Sequence, residues 1–367
     1  MKFEIPKFEY PDFSDEKFAN SKEISLVKVE ENGIAPDNYY LTTHIPTFYY
    51  YKNEWILPKH NSLHCAAVLD NDEILIKELR SLRAGDLVVT GRSKDGSEGI
   101  FVYKEGFPES VYYKSGITAE TSFSEDYKFL FEQMKYERDN NGYIVWVLGP
   151  SVVFDHDTRV ALNKLTEEGF IDCVLAGNAM ATHDLEGGFL GTSLGQNIYT
   201  QENMPMGHYN HLDLLNEVRS TGSIDKFIEE GNVKDGLMKT LSEMEIPYVL
   251  SGSIRDDGPL PEVYGDINKG LDQVRTHLDK ATLIIGLATS LHNVSTANIA
   301  SSYRIRKDGS VTPVYMYAID ISENVTDKIG AAREYVAYVP MITNVQDFVV
   351  NCEKALVANK GGMENGI

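Results

Sequence analysis

The sequence predicts an α/β protein, a parallel sheet covered by helices and preceded by a small, mainly antiparallel β module. Three observations carry this. From about Ser21 to Tyr113 the apolar residues come in short bursts separated by turn signals, and from about Ser122 the period lengthens to that of a helix with one apolar face. Beyond that, six near-continuous apolar runs alternate with helical stretches. Strands that are apolar throughout suit burial on both faces, the condition of a parallel sheet between helices.

The bursts are "ISLVKVE", "NYYLTTHIPTFYYY", "EWILP", "HCAAVLD", "EILIKEL", "DLVVTG" and "GIFVY", with turns signalled at Asn32-Gly33, Asn71-Asp72 and Ala84-Gly85-Asp86. "FSEDYKFLFEQMKYERDN" reads as a helix that ends at "NNG" and joins the two halves. The buried strands follow at "YIVWVLG", "IDCVLAG", "IPYVLSG", "ATLIIGLA", "VYMYAID" and "YVPMIT". The expected organisation is a β domain over 1–115, a helical connector over 116–142, the α/β domain over 143–352 and a flexible tail over 353–367.

A length of 367 residues and 42% hydrophobic composition allow two packed cores. The formal net charge of -21 argues against nucleic acid or anionic lipid as partner and leaves room for a cationic substrate. The aromatic run "YYLTTHIPTFYYY" has no basic groove beside it for stacking bases, so cross-strand packing is its better reading. No signal pattern opens the chain and no apolar run is long enough to span a bilayer, which gives a cytoplasmic expectation. Cys65, Cys173 and Cys352 are too scattered for a disulfide framework or a CxxC metal site. Cys173 and Cys352 read as core residues; Cys65 follows His64 and leaves a reactive thiol open as the lesser reading.

Each buried strand runs into something small and polar. The segments are Gly149-Pro150-Ser151, Gly177-Asn178 with Thr182-His183-Asp184, Ser251-Gly252-Ser253, and Ala288-Thr289-Ser290 with His292. Glycine lets a backbone approach a ligand, and a helix start offers donors to phosphate oxygens, so the repetition is a nucleotide-site pattern. The dinucleotide fingerprint G-x-G-x-x-G is missing after these strands. Asp320, at the end of "YAID", can take a ribose hydroxyl pair or cap the next helix.

His208 and His211 have a helical i, i+3 spacing, but no nearby Cys or third His completes a zinc set, so no metal is expected. His183 and His292 follow sheet strands and stand between a site role and hydrogen-bonded packing. Arg255, Asp256 and Asp257 are the sharpest signal. A guanidinium clamps a carboxylate in two-point geometry, while a carboxylate pairs with an ammonium or takes its proton, which together describe an amino-acid site. The alternative is an internal Arg-Asp pair that shapes the loop, with Gly258-Pro259 as its turn.

The stretches "VLAGNAMATHDLEGGFLGTSLG", "VLSGSIRDDGPLPEV" and "LATSLHNVSTAN" resemble the ornithine cyclodeaminase family of archaea and of the carboxyl-terminal part of cyanobacterial arginine-degrading enzymes, a group also labelled as related to lysine-ketoglutarate reductase/saccharopine dehydrogenase. The likeness extends upstream through "LTTHIPTFYYYKNEWILPKHNSLHCAAVL" and "LRAGDLVVTG" and covers roughly Ser21 to Cys352. It implies a Rossmann-like NAD domain similar to deoxyhypusine synthase, which would account for the missing fingerprint. Larger members carry an amino-terminal domain that hydrolyses the arginine guanidinium; with so little chain before Ser21, the expectation here is a protein that starts from ornithine.

The chemistry the resemblance implies is oxidation of L-ornithine at its α-carbon by tightly held NAD, attack of the δ-amine on the imine, loss of ammonia, and return of the same hydride to give L-proline. It implies Asp256 or Asp257 as acid/base, Arg255 as carboxylate clamp and His183 beside them. Gly149, Pro150, Gly177, Asn178, Ala179, Ser253, Ile254, Thr289, His292, Asp320 and Asn344 would line the cofactor. Lysine cyclodeamination stays open, as does aminobutyl transfer, although the latter needs a lysine and Lys164 and Lys239 lie in helical stretches. A rival of another class is an NAD-containing amino-acid-binding or regulatory subunit. A homodimer or homotetramer is expected from the fold class.

Overall fold

A computed structural model describes residues 4–112, 117–256 and 258–358. The amino-terminal part is built from β1 (Ser25–Lys28), β2 (Thr47–Tyr51), β3 (Glu54–Ile56), β4 (Ala66–Asp70), β5 (Glu73–Lys77), β6 (Leu87–Thr90) and β7 (Ile100–Val102). They form two antiparallel sheets, ordered β1-β6-β4-β5 and β3-β2-β7. Alternate residues of both sheets, among them Tyr49, Ala67, Leu69, Val89 and Ile100, meet in one core. The aromatic residues pack on one another: Phe13 stacks on Trp55 at 4.8 Å, and Phe8 meets Phe107 edge-on at 4.9 Å. Cys65 is buried, and burial pushes its thiol up to about 11, so it is a packing residue without thiolate character.

The second part carries β8 (Ile144–Leu148), β9 (Cys173–Gly177), β10 (Thr192–Ser193), β11 (Gln196–Asn197), β12 (Tyr248–Ser251), β13 (Leu283–Leu287), β14 (Tyr303–Ile305), β15 (Val311–Pro313), β16 (Tyr315–Asp320) and β17 (Tyr338–Ile342). Its helices are α1 (Ser124–Asp139), α2 (His156–Glu167), α3 (Asn178–Leu190), α4 (Asn210–Thr221), α5 (Ile224–Glu229), α6 (Leu237–Glu243), α7 (Ile267–Leu278), α8 (Ser290–Ile299), α9 (Glu323–Ala332) and α10 (Val345–Leu356). The six strands read from continuous apolar runs make one parallel sheet, ordered β12-β9-β8-β13-β16-β17.

Pleating sorts each run onto two faces. Val145 and Val147 of β8 pack toward α7, α8 and α9, whereas Ile144, Trp146 and Leu148 pack toward α1, α2, α3, α6 and α10. The connecting helix α1 thus belongs to the sheet's cover, with Leu130 and Met134 fully buried. Helix α10 runs past Cys352 to Leu356, which is also buried.

The β module docks on the α8 side through polar groups. Asn61 donates its amide to the His44 carbonyl and accepts from the Ser302 amide, and Ser62 donates to the Ile299 carbonyl. Buried Arg333 donates to the carbonyls of Ala300, Ser301 and Val314, and neighbouring Glu334 accepts from Thr43 and His44 of the module.

Candidate functional site

In the sheet the chain runs outward from β8 through β9 to β12, then returns to the other side for β13, β16 and β17. The order therefore reverses between β8 and β13, and open α/β sheets bind ligands in the crevice outside the carboxyl ends at such a point. The two loops at this reversal touch. The Gly149 amide donates to the Leu287 carbonyl at 2.8 Å, and a Cβ on Gly149 would collide with the Ala288 carbonyl group. Only glycine lets the β8 loop lie this close to β13.

Helices α3 and α8 start at this edge, after Gly177 and Thr289, and no side chain caps either one. Their first-turn amides are therefore free to meet an anion, whereas α2, α7 and α10 are closed by Asp155, Asp266 and Asn344. Asn344 thus spends its side-chain oxygen on the Gln346 and Asp347 amides. Asp320 accepts from the Ser322 amide through Oδ1, while the cap position of α9 belongs to Ser322, so Asp320 does not cap that helix. Pro150 opens the turn after Gly149, and Ala179 is exposed one residue into α3 from Asn178.

His292 lies over Gly177, where a Cβ would come within 2.8 Å of the ring's Cε1. Its Nδ1 is buried without a hydrogen-bond partner among the described residues. Burial holds the imidazole below its usual range, against an opposing pull from Asp256. A polar ligand group at this corner would satisfy that nitrogen.

The loop after β12 is pinned at its far end. Buried Asn178 accepts from the Leu260 amide at 3.0 Å, Tyr264 donates its amide to Leu250, and Glu262 accepts from the Ile224 amide. At its near end Asp256 accepts from the Ser253 amide at 2.8 Å, so one oxygen of Asp256 shapes the loop. Ser253, Ile254 and Arg255 are exposed, and among the described residues no carboxylate pairs with the Arg255 guanidinium. Asp257 lies outside the described residues. The two lysines weighed for aminobutyl transfer are otherwise engaged, Lys164 with Glu353 and Lys239 with the Lys234 carbonyl.

His183 sits on α3 beside Phe154 of the β8 loop, ring to ring at 5.8 Å, and its Nδ1 is 2.8 Å from Glu186. Phe154 and Glu186 were not among the residues singled out in the sequence. The Glu186 signal was the i, i+3 spacing with His183 on a helix. His211 faces His183 ring to ring at 5.9 Å, and the described residues hold no cluster of three potential metal ligands. Hollows of about 370 Å³ between α1 and α10 and about 400 Å³ beside β4 and β6 collect none of these residues.

The profile of the "Arginine dihydrolase ArgZ-like, C-terminal, Rossmann fold" family matches residues 128–350. An ornithine cyclodeaminase of Methanopyrus kandleri is 37% identical over 295 residues, which span 77% of this chain and 69% of that protein. The chain belongs to this family. Among further members, an ornithine cyclodeaminase of Methanocaldococcus jannaschii is 32% identical, over 88% of this chain and 77% of its own length. The bifunctional arginine dihydrolase/ornithine cyclodeaminase AgrE of Nostoc is 30% identical over 90% of this chain, which spans 46% of that longer protein.

Solved structures agree. A conserved LOR/SDH protein from Methanococcus maripaludis superposes with a TM-score of 0.81 at 29% identity, covering 92% of this chain and 99% of that one. The ternary complex of AgrE with ornithine and NAD⁺ gives 0.57 at 27% identity, covering 94% of this chain and 47% of that one. The Rossmann-fold expectation thus holds, in a sheet that lacks the glycine fingerprint and whose β8 loop approaches β13 through Gly149.

Proposed function

We propose that this protein is an ornithine cyclodeaminase that converts L-ornithine to L-proline and ammonia with bound NAD. The observation that carries the reading is the crevice where strand order reverses, floored by Gly149 and Gly177 and flanked by the uncapped starts of α3 and α8. A family member solved with ornithine and NAD⁺ supports the same pair of ligands.

The residues present fit a dinucleotide. Two free helix starts suit its pyrophosphate, Asp320 keeps an oxygen for a ribose hydroxyl, and the orphan Nδ1 of His292 offers a polar contact. Gly149, Pro150, Gly177, Asn178, Ala179, Ser253, Ile254, Thr289, His292, Asp320 and Asn344 are the proposed lining. NAD, when bound, supplies a hydride acceptor that gives the hydride back, so the reaction has no net redox change.

The chain's own groups bind the amino acid and manage its protons. Arg255, exposed at the crevice edge, is the proposed clamp for the α-carboxylate. The substrate has two amines, which calls for two proton-transfer groups. His183 is assigned one, and the Asp256-Asp257 pair the other, Asp257 being the expected carrier because Asp256 already holds the Ser253 amide. A crevice closed to water would protect the imine.

The test is to incubate the purified protein with L-ornithine and NAD⁺, without added reductant, and follow proline, ammonia and NADH together. Proline and ammonia in equal amounts with no steady rise of NADH are expected. NADH accumulating without proline would make the protein a simple amino-acid dehydrogenase instead.

A further inference from the structure

We propose that Glu186 is a positioning residue that keeps a proton on Nδ1 of His183 and so presents Nε2 as the atom exchanging a proton with one of the substrate's amines. The proposal rests on the ornithine reading above and adds to it a residue and an atom.

Glu186 is completely buried, and a buried carboxylate is costly unless hydrogen bonds compensate it. Four polar partners do so here. Oε1 accepts from the Thr192 hydroxyl at 2.7 Å and the Gly195 amide at 3.0 Å; Oε2 accepts from the Leu194 amide at 3.2 Å and lies 2.8 Å from His183 Nδ1. Thr192 is itself fixed by the Asn210 amide at 2.8 Å. The two backbone amides can only donate, one to each oxygen, and the Thr192 hydroxyl donates to Oε1, so the site favours an anion.

An anionic carboxylate only accepts, so the fourth partner must also donate. Nδ1 therefore carries its proton whether the ring is charged or neutral, and gain or loss of a proton happens at Nε2. Among the described residues nothing hydrogen-bonds Nε2. The Phe154 ring, from the segment that follows β8, packs against it in a T-shaped contact at 5.8 Å.

Stability alone gives little reason for this arrangement, since apolar residues of the same volume often replace buried ionic groups without loss. A base held by a third group that selects its tautomer is instead the arrangement of activated acid/base pairs. The proton that Nε2 takes from a substrate ammonium returns to nitrogen as ammonia leaves, so the ring ends each turnover as it began.

The experiment combines kinetics with a nitrogen spectrum. Protein carrying ¹⁵N-labelled histidine is compared with His183→Asn to assign the His183 signals, and kcat, KM for ornithine and NAD⁺ affinity are measured for E186Q, H183N and the double variant. Expected are a protonated Nδ1 and an unprotonated Nε2 in neutral His183 and a fall in kcat of about 100-fold in E186Q with KM and NAD⁺ affinity within about threefold. The double variant should be no slower than H183N. A proton on Nε2 in neutral His183, an E186Q kcat within about threefold of the unaltered protein, or additive losses would overturn the proposal. The spectrum of the unaltered protein needs no Glu186 variant, so an E186Q that does not fold leaves the test intact. Absence of proline formation by the unaltered protein would count against the ornithine reading alone, and the spectrum would still decide whether Glu186 holds the ring.

Discussion

Asp184 and Arg159 illustrate at the residue scale how a buried charge is made tolerable. Both side chains are inaccessible, Arg159 Nε donates to Asp184 Oδ1 at 2.9 Å, and Asp184 Oδ2 accepts the Met238 amide at 2.7 Å near the start of α6. Arg159 also donates to the backbone carbonyls of Asp184 and Asp235. Removing the carboxylate leaves the buried guanidinium with only the half-exposed Asp235 carboxylate, 2.7 Å from Nη1, as counter-ion, and a helix start without an acceptor. Asp184→Ala should therefore cost about 3 to 5 kcal/mol in denaturant unfolding. Glu73→Ala, which breaks the exposed pair with Lys59, should cost less than about 1 kcal/mol. Equal costs would show that burial is not what sets the value of the Arg159 pair. Asp184 stood out in the sequence only as part of a strand-end segment, and its pairing with Arg159 did not, because Arg159 meets partners 25 and 76 residues away and no local pattern announces them.

At the scale of the element, strands and helix starts carry different amounts of sequence signal. All six strands of the parallel sheet were legible, since burial on both faces leaves an unbroken apolar run such as "IVWVL" in β8. The hairpin β10–β11 and the pair β14–β15 were not legible, because strands of two or three residues show no usable alternation. Of the site, the small residues at strand ends were readable as a class. Their individual tasks were not, since Asn344 and Asp155 cap helices while Gly177, with no side chain, and Thr289 leave theirs open.

The glycine of the β8 loop turns that distinction into a prediction. Gly149→Ala places a methyl group against the backbone of Leu287 and Ala288, which belongs to a central strand and cannot move as a side chain would. We expect a stability loss of about 1 to 3 kcal/mol and, because the two loops are pushed apart, NAD⁺ affinity lower by about tenfold or more. Thermal melting and a cofactor titration on the same sample check both. Unchanged cofactor affinity in a destabilised protein would move the binding site away from the β8–β13 crevice.

For the molecule as a whole, the joint between the β module and the parallel-sheet domain holds buried polar groups beside apolar ones such as Phe48, and the polar groups give its stability a pH dependence. His44 is completely buried at that joint beside Arg333. Burial first, and the Arg333 charge second, hold its imidazole well below the usual histidine range. In the folded protein His44 stays neutral where the unfolded chain takes up a proton, so below an unfolded value of about 6.5 the unfolded state binds more protons and stability falls as pH falls. His60, His277 and His292 are lowered as well and add in the same direction. Glu137, Asp172 and Glu262 are raised by burial, bind protons more readily when folded, and oppose the trend nearer the carboxylate range. A difference between two proteins isolates the single group. His44→Gln should flatten the slope of unfolding free energy against pH, between about 6.5 and 5, by up to about 1.4 kcal/mol per unit. The measurement is a set of denaturant curves at fixed ionic strength across that window. An identical slope in both proteins would mean that His44 takes up its proton without unfolding, and that the joint opens to water while each domain stays folded.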